Sequence, residues 1–551
     1  MRSIASCVFL FAMMSKAYSQ TPLKESEKIA SFCKIWGFLK YYHPEVAKGK
    51  LDWDKEFMDR IDKISRLKTK QQLSAYYLNW ISSLGKIGYC KTCNNNIPEN
   101  LKFNLDLRWT ANSALFTDKL TGKLVYIKKN RNQGKNHYVQ AQMIAGNPIF
   151  SNEKPYTDSV FPSAALRLLS LSRYWNIINY FFPYKYLIGE DWNKALVEMI
   201  PKFKDAKDTT AYHLAMLELI NKIHDGHAGF NTEYINKYFG LKMPPFRFKI
   251  IEDKVYVVEL YNDSLCIKND IRKGDVFLSI DNVDIKEIIG TGSKSGAALN
   301  EAVKYRKHIS LIFNGNTDSV ITRFERDGFI SEKIVYRYLF TDFNYQWTTK
   351  KNTDDTTKII NGNIGYVNMG LLMPKQVNKV MDEFKKNKAI IFDVRNYPNG
   401  TMFYIANSLN SESKAFAKFT KPDMSYPGVY QFMKPYFCGK KNESPYNGKV
   451  ILLFDERTQS HAEFTLMALQ TAPNVTSIGS HTAGADGNVS LVTFPGNYQS
   501  HISGIGIYYP DGRETQRIGI IPDIVVKPTI EGLRAGKDEL LDKAIEIINK
   551  D

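Results

Sequence analysis

The sequence predicts a multidomain α/β protein with a duplicated helical module, a β module and a C-terminal α/β core. Tryptophans and apolar residues recur at helical spacing in the first 240 residues, short strands follow, and strands then alternate with helices. A chain of 551 residues is also too long for one hydrophobic core. We expect the parts to be residues 1–19 (a leader), 20–155 and 156–240 (two helical copies), 241–330 (the β module) and 331–551 (the core).

The first residues have the features of a secretory signal peptide. Arg2 precedes an apolar stretch from Ile4 to Met14, and Ala17-Tyr18-Ser19 is a small-x-small cleavage site. No later segment reaches about 20 consecutive apolar residues, so we expect no membrane span. The leader predicts export, to the periplasm or outside the cell.

Composition and cysteine spacing argue against several classes of protein. The net charge is +17, but lysines and arginines are spread along the chain, so we do not expect nucleic-acid binding. Cys90 and Cys93 are spaced for a small disulfide in an oxidising compartment. Zinc would need a second ligand pair at matching spacing, which is not present, and we expect no metal and no cofactor.

Two stretches of the helical region, residues 28–60 and 167–199, are similar in sequence. Trp36 and Trp175 lie 139 positions apart. The same offset relates Tyr41 and Tyr180, Pro44 and Pro183, Asp52-Trp53 and Asp191-Trp192, and Lys55 and Lys194. A constant offset over these identities indicates an internal duplication, and the apolar spacing predicts small helical bundles with the tryptophans in their cores. Between the copies, residues 101–150 alternate weakly, as in Leu124–Ile127, which predicts a small strand-rich insert.

The second copy carries a histidine that the first copy lacks. It continues as His224-Asp225-Gly226-His227-Ala228-Gly229, whereas the first copy has Gly88-Tyr89-Cys90-Lys91 where His224 to His227 fall. Packing of the shared scaffold therefore does not require His227. The flanking glycines predict tight turns that present an imidazole to a cleft, although a plain surface histidine is the simpler alternative.

The β module contains a segment that resembles a PDZ domain. Ile271-Arg-Lys-Gly274-Asp275-Val276-Phe-Leu-Ser-Ile280-Asp281 is similar to the Gly-Asp-x-Ile-x-x-Ile-Asn-Gly run of such domains. This resemblance implies binding of an extended peptide at a sheet edge. Prolines in Met243-Pro-Pro245-Phe246 remove amide donors where a carboxylate-binding loop is expected, which argues against capture of a peptide C-terminus.

Ser460 lies where a predicted buried strand, Val450–Phe454, leads into a predicted apolar helix. The first amides of a helix have no intrahelical partner, so they can stabilise negative charge that develops on a substrate held there. This position indicates a nucleophilic serine. The alternative is an ordinary helix start, in which Ser460 caps the helix and Glu463 closes a capping box.

Four motifs in a fixed order then point to one family. They are Asp393-x-Arg395-Asn396-x-Pro398-x-Gly400, Ser460-x-Ala462-Glu463, Gly479-x-x-Thr482-x-Gly484 and Gly519-Ile520-x-Pro522-Asp523. Behind a PDZ-like module, this set resembles the C-terminal-processing, or tail-specific, serine peptidase family. The resemblance implies a crotonase-like (ClpP-like) α/β core with Ser460 as nucleophile. It also implies an oxyanion hole from the amides of His461 and of Asn399 or Gly400, and a polypeptide substrate.

Ser460 needs a base to take its proton, and the resemblance implies a histidine in that role. The tail-specific branch uses a lysine about twenty-five residues after the serine, but no lysine occurs between Lys449 and Lys527. The tricorn-like branch takes a histidine from an Asp-Gly-His turn ahead of the PDZ-like module, and Asp225-Gly226-His227 matches it. His224, His461 and His481 are alternatives, of which His461 has poor geometry for contact with the preceding hydroxyl.

The group behind the imidazole is left open by the sequence. The tricorn-like pattern has a glutamate shortly before the Gly-x-x-Pro-Asp motif, where this chain offers Glu514 and Gln516. Gln516 aligns more directly but carries no charge. Relatives of this core, such as the units of interphotoreceptor retinoid-binding protein, bind apolar ligands. The alternative function is therefore a catalytically weak or inactive family member that acts as a binding module for an apolar ligand or a peptide. The sequence does not indicate an oligomeric state.

Overall fold

The computed structural model describes residues 23–158, 160–291, 312–343 and 355–550. The predicted signal peptide, residues 1–19, lies outside these ranges. Within them, no helix combines the length and the apolar character that crossing a bilayer requires.

The N-terminal region is helical, and its two copies pack in the same way. The helices are α1 (Glu25–Tyr42), α2 (Pro44–Ala47), α3 (Trp53–Arg66) and α4 (Lys70–Ser83), then α5 (Asp118–Lys129), and α6 (Ala164–Phe181), α7 (Trp192–Lys204), α8 (Thr209–Asn221) and α9 (Glu233–Phe239). The indole nitrogens of Trp36 and Trp53 each donate to the other's carbonyl, at 2.9 and 3.2 Å. Trp175 and Trp192 make the same reciprocal pair at 2.7 and 3.1 Å.

The two copies share one hydrophobic core and a buried ion pair. Arg173 of α6 pairs with Asp54 of α3, and both side chains are buried. The amide of Asn176 on α6 donates to the carbonyl of Cys33 on α1 at 3.0 Å. A buried ion pair across copies fixes how they sit together, because either charge alone would be costly to bury.

The insert between the copies differs from the prediction in one place. Leu124–Ile127 was expected to be a strand but belongs to helix α5, whose buried residues Leu120, Leu124 and Ile127 follow a helical spacing. The strands of the insert are β1 (Val139–Ala141) and β2 (Pro148–Phe150), which form an antiparallel hairpin. Cys90 and Cys93 are joined by a disulfide.

The β module is an antiparallel sheet in the order β4–β5–β6–β8–β9. Its elements are β3 (Lys242–Met243), β4 (Phe246–Ile251), β5 (Lys254–Leu260), α10 (Asp263–Lys268), β6 (Val276–Ile280), β7 (Val283–Asp284), α11 (Ile285–Thr291), β8 (Ser319–Arg326), β9 (Phe329–Tyr336) and β10 (Tyr338–Leu339). Strand β10 pairs with β3, so the first and last strands of the module lie together. The expected boundary at residue 330 falls inside β9.

The C-terminal core alternates strands and helices, as the sequence predicts. Its elements are β11 (Thr357–Ile360), β12 (Ile364–Asn368), α12 (Val377–Glu383), β13 (Ala389–Asp393), α13 (Met402–Leu409), β14 (Lys414–Pro422), β15 (Tyr430–Phe432), β16 (Tyr436–Cys438), β17 (Lys449–Phe454), α14 (His461–Leu469), β18 (Val475–Gly479), β19 (Val489–Phe494), β20 (Tyr498–Ser503), β21 (Gly506–Tyr508), β22 (Ile524–Val525), α15 (Ile530–Arg534) and α16 (Glu539–Lys550). The central sheet has the order β11–β12–β13–β17–β18–β22, and from β12 onward its strands are parallel. The prediction of a multidomain α/β protein with a helical N-terminal region is confirmed.

The hairpin β19–β20 joins the core to the second helical copy. Phe494 packs against Tyr174 of α6, with ring centroids 5.6 Å apart. Tyr498 packs against His213 of α8 at 4.4 Å. This contact brings the turn after α8, which contains His227, to the carboxyl ends of the core strands.

Candidate active site

Ser460 lies between strand β17 and helix α14 with a strained backbone. Its φ is 59° and its ψ is −127°, a conformation that is uncommon for any residue except glycine. Such a conformation costs about 1–3 kcal/mol and persists only where the surroundings enforce it. Ser460 is also the N-cap residue of helix α14, and its amide donates to the Glu463 carboxylate as in a capping box. A capping box alone does not require the positive φ of Ser460.

Glu463 holds the serine turn in place. Its buried carboxylate accepts hydrogen bonds from the amide of Ser460 at 3.0 Å and from the amides of Gly484 and Ala485 at 2.7 and 3.0 Å. The hydroxyl of Thr482 also donates to it. These bonds explain why the Ser-x-Ala-Glu and Gly-x-x-Thr-x-Gly motifs occur together, since the second motif supplies the donors for the first.

The glycine-containing turn after β13 lies beside the serine turn. Strands β13 and β17 are parallel neighbours, with Asp393 opposite Leu453, so their carboxyl ends open on the same edge of the sheet. The side-chain amide of Asn399 donates to the carbonyl of Gly370 at 2.8 Å, which holds the turn. Gly400 has a φ of 72°, so this position favours glycine.

The second half of the candidate site is the turn Asp225-Gly226-His227. The Asp225 carboxylate is buried and accepts a hydrogen bond from the amide of His227 at 3.1 Å. The side-chain amide of Gln459 donates to the carbonyl of Gly226 at 3.4 Å, which links this turn to the residue before Ser460. The two turns are 233 positions apart in sequence.

Ser503 connects the imidazole of His227 to Asp225. Nδ1 of His227 lies 2.9 Å from Oγ of Ser503, and that hydroxyl donates to Oδ1 of Asp225 at 2.9 Å. A hydroxyl has only one proton, and Ser503 gives it to the carboxylate. It must therefore accept from Nδ1 of His227, which places the imidazole proton on Nδ1. The other nitrogen, Nε2, is then the unprotonated one, as a base requires.

Asp225 is charged although it is buried. Burial raises the pKa of its carboxyl, but the nearby His227 imidazole and the hydrogen bonds from the backbone amides of Ser503 and His227 outweigh burial and lower it below its usual value. Gln516 adds a side-chain amide contact to Oδ1 at 3.4 Å. Glu514 instead accepts a hydrogen bond from the hydroxyl of Tyr186 at 2.7 Å.

A cavity of about 860 Å³ joins the two turns. Ser460 and His227 both line it, and Nε2 of His227 is buried without a hydrogen-bond partner in the described part of the chain. Its other walls include Met402, Phe464, Ile505 and Ile507. A serine and a histidine thus line one cleft, and the buried Asp225 carboxylate is linked to the histidine through Ser503. These groups are the ones that nucleophilic hydrolysis uses.

Residues 363–526 match the model of peptidase family S41. The chain carries a peptidase family S41 domain. The resemblance found in the four motifs is thus confirmed, and the protein is a serine-type peptidase.

The solved structures of mature CPAF share the fold of this chain. Mature CPAF has a TM-score of 0.55 at 16% identity, over 70% of this chain and 98% of that chain. Mature CPAF complexed with lactacystin has a TM-score of 0.54 at 16% identity, over 70% and 99%. The photosystem II D1 C-terminal processing protease has a TM-score of 0.37 at 16% identity, over 66% and 93%. No curated protein matches the sequence significantly.

The other histidines near the S41 domain occupy different environments. His461 lines the cavity, but its ring packs against Tyr397 with centroids 6.1 Å apart, and burial lowers the pKa of its imidazole. His481 contacts the carbonyl of Ile518 through Nδ1 at 3.3 Å. His224 does not line the cavity. Of these residues, His227 is the one whose Nδ1 is held by a carboxylate-linked hydroxyl.

Two residues of the candidate site were not predicted from the sequence. Asp225 was recognised only as part of the Asp-Gly-His turn, although its place two residues before the candidate base was a local signal. Ser503 gave no signal, because it ends a strand 276 positions after His227 and only the fold brings the two together.

Proposed function

We propose that the protein is an exported serine endopeptidase that cleaves polypeptides with Ser460 as nucleophile and His227 as general base. The observation that carries this proposal is the Asp225–Ser503–His227 chain. It fixes the imidazole tautomer and leaves Nε2 as the basic nitrogen at the cavity that Ser460 also lines. The carboxylate then compensates the imidazolium that forms when the base takes a proton.

The reaction follows from these positions. Nε2 of His227 takes the hydroxyl proton of Ser460 while Oγ attacks the carbonyl carbon of the scissile bond. The amide of His461, the first residue of α14, and the amide of Asn399 or Gly400 stabilise the oxyanion. His227 then protonates the leaving amine. In the second half, Nε2 takes a proton from water, the water oxygen attacks the acyl carbon, the bond to Oγ breaks, and His227 returns the proton to Oγ.

The wider arrangement of the chain belongs to the same proposal. We infer that the sheet of β4 to β9 with helix α11 is a PDZ-like module ending near residue 343, and that the core after it is crotonase-like. The helical copies then occupy residues 20–155 and 156–240, and residues 1–19 direct export. The Cys90–Cys93 disulfide supports an oxidising compartment.

Single substitutions at the two turns test the activity. Ser460→Ala and His227→Ala should each lower hydrolysis of an unfolded polypeptide by at least about a thousandfold, as loss of a nucleophile or base does. His501→Ala is the matched control, because His501 is exposed on β20, the strand that ends at Ser503. A fluorophosphonate probe should label Ser460 in the wild type, and replacement of His227 should slow labelling. Full activity of His227→Ala contradicts the proposal, and absence of labelling with retention of a fatty acid supports a binding module instead.

A further inference from the structure

Two lysines line the catalytic cavity beside Ser460. Lys421 belongs to strand β14 and is half-buried, and Lys434 is exposed between β15 and β16. In the part of the chain that the structure describes, neither ammonium group makes a hydrogen bond or an ion pair. The other lysines of β14 differ, since Lys414 donates to a backbone carbonyl at 3.0 Å and Lys418 lies over an aromatic ring at 4.8 Å. The two cavity lysines are thus free to bind a ligand.

The hairpin between β1 and β2 holds the side chain of Lys421 in place. Gly146, at the turn of this hairpin, has a φ of 81°. A Cβ atom at this position would lie 2.5 Å from Cδ and 3.0 Å from Nζ of Lys421, so no side chain fits there. The lysine stem therefore lies directly on the glycine backbone, and the neighbouring Ile144 and Ala145 line the same cavity. Because this contact restricts the stem, less conformational entropy is lost when the ammonium group binds a ligand.

The described residues around the cavity leave the positive charge of these lysines uncompensated. Among the residues that line it, the carboxyl group is that of Asp486, which is 2% exposed. Burial together with the Glu463 carboxylate raises the pKa of Asp486 well above its usual value, so this group carries little negative charge. Asp423, two residues after Lys421, uses both carboxylate oxygens to accept hydrogen bonds from other side chains. A positive cleft with apolar walls attracts anionic ligands.

One apolar wall runs from Ser460 to Lys421. The amide of Phe464, one turn into α14, donates to the carbonyl of Ser460 at 3.1 Å, and the Phe464 ring packs against Phe419 with centroids 5.8 Å apart. Phe419 and Lys421 are two residues apart on β14, so their side chains lie on the same face. The steps before and after this ring contact each span roughly 6–7 Å. An extended peptide of about six residues therefore covers the whole wall.

The chemistry of a polypeptide supplies one kind of group for such a lysine. Ammonium groups form their strongest hydrogen bonds with carboxylates, which aspartate and glutamate side chains carry. Between the lysine and the serine, the rings of Phe419 and Phe464 suit apolar side chains. The wall thus fits a segment that combines apolar residues with an acidic one.

We propose that Lys421, assisted by Lys434, is a specificity-determining residue that binds the carboxylate of an aspartate or glutamate side chain a few residues from the scissile bond. This proposal rests on the proposed function in the choice of a polypeptide ligand. It makes unfolded segments with alternating apolar and acidic residues better substrates than neutral segments of the same length.

Binding without turnover tests this proposal. In the full-length chain with Ser460→Ala, fluorescence anisotropy measures the Kd of two fluorescein-labelled peptides, four repeats of Gly-Leu-Glu and four repeats of Gly-Leu-Gln. The repeats present a glutamate in every register, and a C-terminal amide removes the terminal carboxylate from both peptides. The Glu peptide should bind roughly three- to tenfold more tightly than the Gln peptide.

Lys421→Met and Lys418→Met are a matched pair of added substitutions. Both remove one positive charge from β14, but Lys421 lines the cavity and Lys418 does not. Lys421→Met should bring the Kd values of the two peptides within about twofold of each other, whereas Lys418→Met should keep the preference of the parent. Lys421→Glu should reverse the preference, because like charges repel.

Three outcomes overturn the proposal. They are a parent that binds neither peptide, a parent that binds both equally, and an equal loss of preference in the Lys418 and Lys421 variants, which indicates a general effect of charge. If Lys421→Met does not fold, Lys421→Gln takes its place with the same expectation. Because the readout is binding by an inactive chain, its failure differs from failure of the proposed function, which appears as an unlabelled and inactive wild type.

Discussion

Nδ1 of His227 lies 2.9 Å from the hydroxyl oxygen of Ser503, and this hydroxyl is the link between the imidazole and the buried Asp225. The direct distance from Nδ1 to Oδ1 of Asp225 is 3.7 Å, too long for a hydrogen bond. The imidazole is thus oriented through a serine hydroxyl, and the tautomer depends on which way that hydroxyl donates.

Asp225→Asn should therefore lower kcat by roughly a hundred- to ten-thousandfold with little change in KM. An asparagine amide can donate to Ser503, which turns the hydroxyl toward Nδ1 and moves the imidazole proton to Nε2. Ser503→Ala removes the link without reversing it, so its kcat should fall less. Steady-state kinetics on an unfolded polypeptide check both variants. An Asp225→Asn enzyme with wild-type kcat would falsify the assigned tautomer.

Substitutions at Glu514 and Gln516 test which of these two residues supports the imidazole of His227. Glu514→Gln should change kcat by no more than about twofold, because its half-buried carboxylate contacts the Tyr186 hydroxyl and not Asp225 or His227. Gln516→Glu should lower kcat by at least tenfold, because a second carboxylate about as close as the present 3.4 Å contact disfavours the charge on Asp225. If the Glu514 variant loses more activity than the Gln516 variant, the glutamate is the group behind the imidazole.

The sequence alone predicted the helices and strands that depend on the local spacing of apolar residues. The strand before Ser460 and the apolar helix after it were predicted because continuous apolar runs on either side of a short polar turn are typical of a buried strand followed by a buried helix. The duplication was visible because identical residues recur at one offset. The insert was misread at Leu124–Ile127 because a short run of apolar residues fits both periods, and the buried positions of α5 show that the helical one applies.

The rest of the site was not predictable because it depends on tertiary contacts. Ser503 reaches His227 only after the β19–β20 hairpin packs on α6 and α8. Whether Glu514 or Gln516 contacts Asp225 depends on which side chain of this turn points toward Asp225. Residues one or two positions apart in a turn point in different directions, and the sequence does not reveal which. Asp486 is an ordinary turn residue in sequence, and only its burial beside Glu463 makes it unusual.

The insert of the first helical copy contributes to the cleft. Ile144 and Ala145, at the tip of the β1–β2 hairpin, line the cavity beside Ser460. Ile144 is 87% exposed, and the hairpin is held on the core by Asn147, whose amide donates to the carbonyl of Val489 at 2.9 Å. An exposed apolar tip at the mouth of a peptide-binding cleft suits contact with apolar substrate side chains.

Ile144→Asp should raise KM for an unfolded polypeptide roughly three- to tenfold while kcat changes little, because it removes apolar contact outside the reacting groups. Tyr89→Asp is the control, since Tyr89 is 81% exposed in the same helical copy but does not line the cavity. Kinetics with a short ester, which does not reach the hairpin, should be the same for both variants. A lower kcat on the ester for Ile144→Asp is inconsistent with a role in substrate contact alone.

Asp486 should also make the stability of the fold depend on pH. Burial and the Glu463 carboxylate hold the pKa of Asp486 well above its usual range, so the folded chain keeps this proton where the unfolded chain loses it near pH 4. The contribution of this group to stability is thus fully present below about pH 4 and declines as the pH rises toward the folded-state pKa. Asparagine cannot ionise, so Asp486→Asn should have nearly the wild-type Tm at pH 4 and a Tm higher by about 2 °C or more at pH 7. Calorimetry from pH 4 to pH 7 shows whether the Tm of the variant rises above that of the wild type as the pH increases. A Tm difference that stays constant with pH argues that the Asp486 carboxyl is charged in the folded protein.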